Sequence, residues 1–198
     1  MSSECIAGLL LVVSGPSGVG KTTMVHRIRE RLGGTFSVSA TTRPKGPGET
    51  DGLDYLFVSS DQFEDMLQRG EFLEHAEVFG RHAYGTPREP VQQALDQGEL
   101  IMLDIDVQGA MQVREHLSDA FMIFILPPSE DELYRRLASR GRDDTEAIER
   151  RFAEARREID LATSRTIYDA FIVNDVLDRA VDEACALVTA RRSASSAS

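Results

Sequence analysis

With 198 residues, 41% of them hydrophobic, the chain can build one sizeable core and still hold a small inserted subdomain. Its 33 acidic and 22 basic residues leave a net charge of −11, which argues against a nucleic-acid partner and fits a cytoplasmic protein. The two cysteines, Cys5 and Cys185, lack CxxC or Cys/His spacing and offer neither a disulfide framework nor a metal site.

In chain order, the apolar run "IAGLLLVV" is too short to span a bilayer and lacks a basic leader, so no membrane partner is expected. Its part from Leu9 to Ser14 predicts a buried strand, and the Val25, Ile28 and Leu32 stripe predicts a helix after it. From about Phe36 to Pro87 the rhythm changes. Short alternating pieces ("FSVSAT", "DYLFVS", "HAEVF") surround one helix that "SSDQ" at Ser59 would cap. This stretch reads as a mostly-β insertion facing the rest of the chain across a cleft. Leu100 to Ile105, Met122 to Leu126 and Phe171 to Asn174 predict further buried strands. Helical stripes lie between them at Leu133 and Leu137 and at Ile148, Phe152 and Ala155. "SEDE" at Ser129 carries a capping-box signature that marks a helix start. The alternation predicts an α/β fold with a parallel sheet, and residues 191–198, ending "SASSAS", are expected to form a disordered tail.

"GPSGVGKT" (Gly15, Pro16, Ser17, Gly18, Val19, Gly20, Lys21, Thr22) matches G-x-x-x-x-G-K-[ST] in full, between a strand and a helix. Its glycines let consecutive N–H groups turn inward on anionic oxygens, and the helix N-terminus adds partial positive charge. Lys21 suits the outer phosphates, Thr22 can ligate Mg²⁺, and Thr23 continues the helix start. These residues predict a nucleoside triphosphate site. In "IMLDID", Asp104 and Asp106 end a buried strand, where a carboxylate can hold a metal or its waters. His26, His75, His82 and His116 have no metal-ligand spacing.

The chain resembles the guanylate kinases, which are nucleoside monophosphate kinases. The resemblance runs from about Leu9 to Ala186 and is carried by "SGPSGVGKTT", "FSVSATTRP", "GEFLEHAEVFG", "YGTP", "LDIDVQGA", "FILPPS", "RLASRG" and "IVND" in order. It implies a three-layer α/β/α core with a five-stranded parallel sheet over residues 5–35 and 88–190. A GMP-binding insertion would occupy 36–87 and a small helical lid 138–152. It implies ATP as donor with Mg²⁺, and GMP as acceptor. By matching position, GMP would meet Ser39, Arg43, Tyr55, Glu74, Tyr84, Thr86 and Asp106, with Asp104 close by. Arg136, Arg140 and Arg151 match arginines that clamp the phosphates from the lid and, with Lys21 and Arg43, would neutralise the transferring charge. Asn174 matches a residue beside adenine. A homo-oligomer is left open, since the family contains both monomers and oligomers.

The residue types suit these roles. Guanine presents N1–H and N2–H₂ donors beside an O6 acceptor, so Glu74 and Asp106 would accept while Ser39 and Thr86 donate. Arg43, Tyr55 and Tyr84 suit a phosphate. Taken singly, the tyrosines would read as core-edge aromatics and the lid arginines as a solvated face. One departure concerns the phosphate grip. The family's second arginine is replaced here by Gly46, so Lys45 is expected to substitute in part. An extra residue between Gly80 and Tyr84 also leaves the path of Arg81 to Ala83 open. A kinase of another phosphorylated acceptor, such as a ribose phosphate, and a non-catalytic phosphopeptide-binding module are the alternatives.

Overall fold

The computed structural model describes residues 7–78, 81–139 and 145–195. The chain begins with β1 (Leu9–Ser14), α1 (Lys21–Leu32) and β2 (Thr35–Phe36). The insertion follows with β3 (Ala40–Thr41), β4 (Leu56–Phe57), α2 (Ser60–Gln68), β5 (Phe72–Val78) and β6 (His82–Pro87). The core resumes with α3 (Arg88–Asp96), β7 (Leu100–Ile105), α4 (Val107–His116), β8 (Phe121–Leu126) and α5 (Glu130–Ala138). It closes with α6 (Thr145–Ser164), β9 (Ala170–Val173) and α7 (Leu177–Ser195).

The core sheet is parallel, in the order β2-β7-β1-β8-β9. Strand β1 lies at its centre with every residue buried, and its alternation sorts the two helical layers. Leu9, Leu11 and Val13 pack with Met24, Val25 and Ile28 of α1 and with Val181, Ala184 and Val188 of α7. Leu10 and Val12 turn the other way, onto Val91 of α3, Val107 and Val113 of α4, and Ala162 of α6. The order reverses direction on either side of β1, so the loop leaving its carboxyl end opens into the crevice where such sheets bind ligands.

The insertion forms a second, four-stranded mixed sheet in the order β4-β3-β6-β5. Its small core is Ala40, Phe63 and Phe72, the two rings stacked with centroids 4.6 Å apart. The edge strand β5 is covered by α4. The Gln112 Nε2 donates to the His75 carbonyl at 2.9 Å and its Oε1 accepts from the His75 N–H at 3.0 Å. His116 Nδ1 lies 2.7 Å from the Leu73 carbonyl oxygen, which places a proton on that nitrogen.

Several expectations shift. Phe36 belongs to the core sheet, paired with Met102, so the insertion starts later than residue 36. His82 and Ala83 pair with Val78 and Glu77 in β6, which settles their path. Residues 191–195 are helical rather than tail, because Arg192 donates to the Gly98 carbonyl and Ser193 and Ser195 bond back to the preceding turn. Residues 196–198 lie outside the described residues. At Ser59 the capping box is complete, whereas at Ser129 only the Ser hydroxyl takes part. There Glu132 turns to Arg135 and Arg136 instead.

Candidate functional site

The phosphate loop spans Gly15 to Gly20, with Gly20 as the cap of α1 at φ 97°, a left-handed conformation that glycine adopts without strain. Asn174, 6% exposed, braces the loop by donating its amide to the Val19 carbonyl at 2.8 Å. A Cβ on Gly20 would lie 2.8 Å from that amide nitrogen. The Val19 side chain is fully buried, while Ser17 and Thr23 are exposed and Pro16 is buried. Lys21 Nζ donates to the carbonyls of Gly15 at 2.6 Å and Pro16 at 3.3 Å, so the loop is wrapped around its own ammonium. Thr22 Oγ1 donates to Asp104 Oδ2 at 2.5 Å, joining the first turn of α1 to the end of β7.

Asp106 does not share that strand. The strand ends at Ile105, and Asp106 caps α4, accepting from Gly109 N–H at 2.8 Å. Its geometry is therefore set by a helix start rather than by strand alternation.

A cleft of about 780 Å³ opens between α1 and the insertion, lined among others by Thr22, His26, Ser39, Glu49, Tyr55 and Asp104. At its wall, Arg43 makes a two-pronged pair with Glu49, Nη2 to Oε1 at 2.6 Å and Nη1 to Oε2 at 3.0 Å. Gly46 N–H adds a third bond to Glu49 Oε2 at 2.6 Å. These contacts, Arg43 first, hold the Glu49 carboxyl below its ordinary range. The Arg43 guanidinium carbon sits 5.3 Å from the Tyr55 ring centroid. The two tyrosine rings meet edge to face at 5.9 Å, and burial raises the Tyr55 phenol. The structure thus brings Arg43, Tyr55 and Tyr84 together. Lys45 is exposed beside them, its charge acting on Glu49.

Glu74, on β5, is 6% exposed and accepts from Thr86 Oγ1 at 2.6 Å. Burial raises its pKa, with Asp106 adding to the rise and Thr86 opposing it. A Cβ on Gly109 would stand 2.8 Å from Glu74 Oε2, so only glycine lets the carboxylate lie against the first turn of α4. Thr86, fully buried, donates its hydroxyl proton to Glu74.

From the lid side, Arg136 donates to Glu132 at 2.7 Å and to the Asn174 carbonyl at 3.0 Å, while Arg151 donates to Ser17 Oγ at 2.8 Å. Both lie at the rim of the phosphate loop. Arg140 lies outside the described residues, as does part of the 138–152 lid. Asn174 supports the loop from beneath, a task its expected place beside adenine does not contain.

Sequence reasoning assigned no role to Glu49, Gly109, Glu158, Tyr168 or Ser14. Tyr168 OH donates to the buried Ser14 Oγ at 3.1 Å, and burial lifts its pKa to about 12. Glu158, half-buried on α6, is pushed up to about 7 by burial, with Lys21 pulling it down and Asp106 and Glu154 raising it. Glu74 and Gly109 lie in the "GEFLEH" and "DVQGA" segments. Nothing local marked Glu158.

A complete phosphate loop at the switch point of a parallel sheet, facing a cationic grip on an inserted sheet, defines a P-loop phosphotransferase with its own acceptor module. Comparison with known proteins narrows the class. Residues 8–190 match the family model described as guanylate kinase. A guanylate kinase of Alkalilimnicola ehrlichii is 50% identical over 93% of this chain and 90% of its own length. One from Thermus thermophilus is 48% identical over 93% of this chain and 82% of its own. The crystal structure of guanylate kinase from Anaplasma phagocytophilum superposes with a TM-score of 0.72 at 34% identity, covering 94% of this chain and 87% of that one. The chain belongs to the guanylate kinase family.

Proposed function

We propose that this enzyme transfers the γ-phosphoryl group of ATP to the phosphate of GMP, giving ADP and GDP, within purine nucleotide metabolism. The observation that carries the choice of acceptor is Glu74. It is a buried carboxylate, held by Thr86, on the module that faces the phosphate loop. Guanine offers two adjacent donors to such a carboxylate, whereas adenine offers an acceptor there. A ribose phosphate would leave Glu74 buried and unmatched, which disfavours that substrate.

A phosphate monoester loses its second proton near pH 6, to within about half a unit, so the acceptor is already a nucleophile at neutral pH. The protein's task is alignment and neutralisation of charge. Arg43, pre-aimed by Glu49, holds the GMP phosphate together with Tyr55 and Tyr84. Lys21 leaves the loop carbonyls for the ATP phosphates, and Arg136 and Arg151 close from the rim. Ser39 and Asp106 complete the guanine side.

The Thr22 hydroxyl and Asp104 carboxylate form an all-oxygen pair at the loop, which fits Mg²⁺. No cluster of three His, Cys, Asp or Glu residues stands among the described residues. This leaves most of the ion's shell to phosphates and water. Bound there, Mg²⁺ would neutralise charge between the outer phosphates.

Lys21→Ala tests the donor site. Turnover should fall by about a thousandfold or more while GMP binding, measured by calorimetry, is kept. Retained turnover would refute the role of Lys21.

A further inference from the structure

The cleft between α1 and the insertion has an outer end, beyond Thr22 and Asp104, to which phosphoryl transfer gives no task. Its core wall is made by His26 and Arg29 of α1 with Phe36 of β2, and its facing wall by Gly52, Leu53 and Asp54. Thr22, His26 and Arg29 fall on one stripe of α1, with Arg29 about 10 Å below Thr22 along the helix. Two other arginines of this helix, Arg27 and Arg31, pair with Asp178 and Asp182 of α7. Arg29 is exposed in the cleft, and its side chain has no hydrogen-bond or ion-pair partner among the described residues. Across from it, the turn from Thr50 to Tyr55 is tied to itself. Thr50 N–H donates to Asp54 Oδ2 at 2.6 Å, Asp54 N–H to the Thr50 carbonyl at 3.0 Å, and Gly52 N–H to the Tyr55 carbonyl at 2.8 Å. These bonds hold up Leu53, 71% exposed, and an Asp54 carboxylate that meets no cation. The walls match in chemistry. A carboxylate stands opposite a guanidinium, and Leu53 stands opposite the stacked rings of His26 and Phe36, whose centroids are 6.4 Å apart.

We propose that Arg29 and Asp54 form a latch across this cleft. When GMP draws the insertion onto the core, the turn lands on α1, Asp54 pairs with Arg29, and Leu53 covers His26 and Phe36. The chain enters the insertion through residues 37–39 and leaves it at Pro87 and Arg88, so the turn swings about these two connections. Arg29 and Asp54 are positioning residues, because they act through closure and not on the substrate. An exposed ion pair is a weak interaction. This one forms only in the closed state, so its whole contribution appears as affinity for the ligand that closes the cleft. The latch rests on the reading of this cleft as the GMP site.

Calorimetric titration with GMP of the unaltered protein, Asp54→Asn, Arg29→Met and the double variant tests this. Asparagine keeps an oxygen for the Thr50 N–H, so the turn itself is preserved. By charge alone, removing a carboxylate that faces a dianion should tighten GMP binding. The latch requires the opposite: Asp54→Asn should weaken it about threefold, Arg29→Met by a similar factor, and the double variant no further than either. The melting temperature of the empty protein should stay within about 2 °C in every variant, which a merely structural role would not allow. GMP binding by Asp54→Asn as tight as that of the unaltered protein, or tighter, overturns the latch and leaves the GMP site in place. Losses that add in the double variant, or a fall in melting temperature that accompanies the lost affinity, do the same. Failure of the unaltered protein to bind GMP overturns the reading of the cleft and the latch together.

Discussion

In the proposed function, Glu74 would carry both selectivity and a cost in stability. Its carboxyl is raised by burial first, with Thr86 opposing the rise and Asp106 adding to it. A carboxyl raised in the folded state contributes stability below its unfolded pKa and loses it as pH rises through the folded value. Glu74→Gln should therefore melt at a higher temperature than the parent at pH 8 and at a similar one at pH 4, as scanning calorimetry would show. The same change should weaken GMP binding by about a hundredfold, because an amide N–H₂ then faces the guanine donors. Thr86→Val should move the acid limb of GMP binding to higher pH, since the group that holds Glu74 ionised is gone. The sequence shows that a carboxylate and a hydroxyl stand at these positions. It does not show that the hydroxyl serves the carboxylate, because that depends on the register of β5 against β6.

At the scale of elements, the segment from Arg43 to Tyr55 is organised by Glu49, which ties Arg43 to the Gly46 N–H. A Cβ at Gly46 would come 3.0 Å from Glu49 Oε2, an atom already held from two sides. Gly46→Arg, which would restore the family's second arginine, should therefore disturb the Arg43 fork and weaken GMP binding rather than tighten it. Lys45→Ala should weaken binding severalfold if its point charge serves the phosphate. An unchanged dissociation constant would remove Lys45 from the grip. Where α4 meets β5, Gln112→Ala removes two hydrogen bonds and should cost about 1 kcal/mol in urea unfolding. Long apolar strands such as β1 and β7 are legible in the sequence because burial on both faces leaves a continuous apolar run. The two-residue strands β2, β3 and β4 are too short for any period to register. β6 escapes notice because Gly85 and Pro87 read as turn residues. Gly85 has a packing reason: a Cβ there would lie 2.8 Å from the Phe72 ring.

On the proposed reading, the two anionic substrates would sit on two sheets that meet at α4. Asp106 caps that helix from the core side, and Glu74 lies against its first turn from the inserted side. Closing the cleft would bring the grip of Arg43 towards the phosphate loop and shut out water. The α5 and α6 pair, joined through Leu133, Leu137 and Ala155, would carry Arg136 and Arg151 over the same point. The phosphate loop is the part of this assembly most legible in sequence, because its backbone demands glycines at fixed spacing. The bond from Thr22 to Asp104 is less legible, since 82 residues of chain separate them. The central claim is phosphoryl transfer from ATP to GMP. Its most direct test is a coupled assay of ADP release with GMP, AMP, CMP, UMP and ribose 5-phosphate as acceptors. GMP should support turnover, with kcat/KM for every other acceptor lower by about a thousandfold or more. Comparable rates with AMP or the ribose phosphate, or no ADP release with any acceptor, would contradict the account.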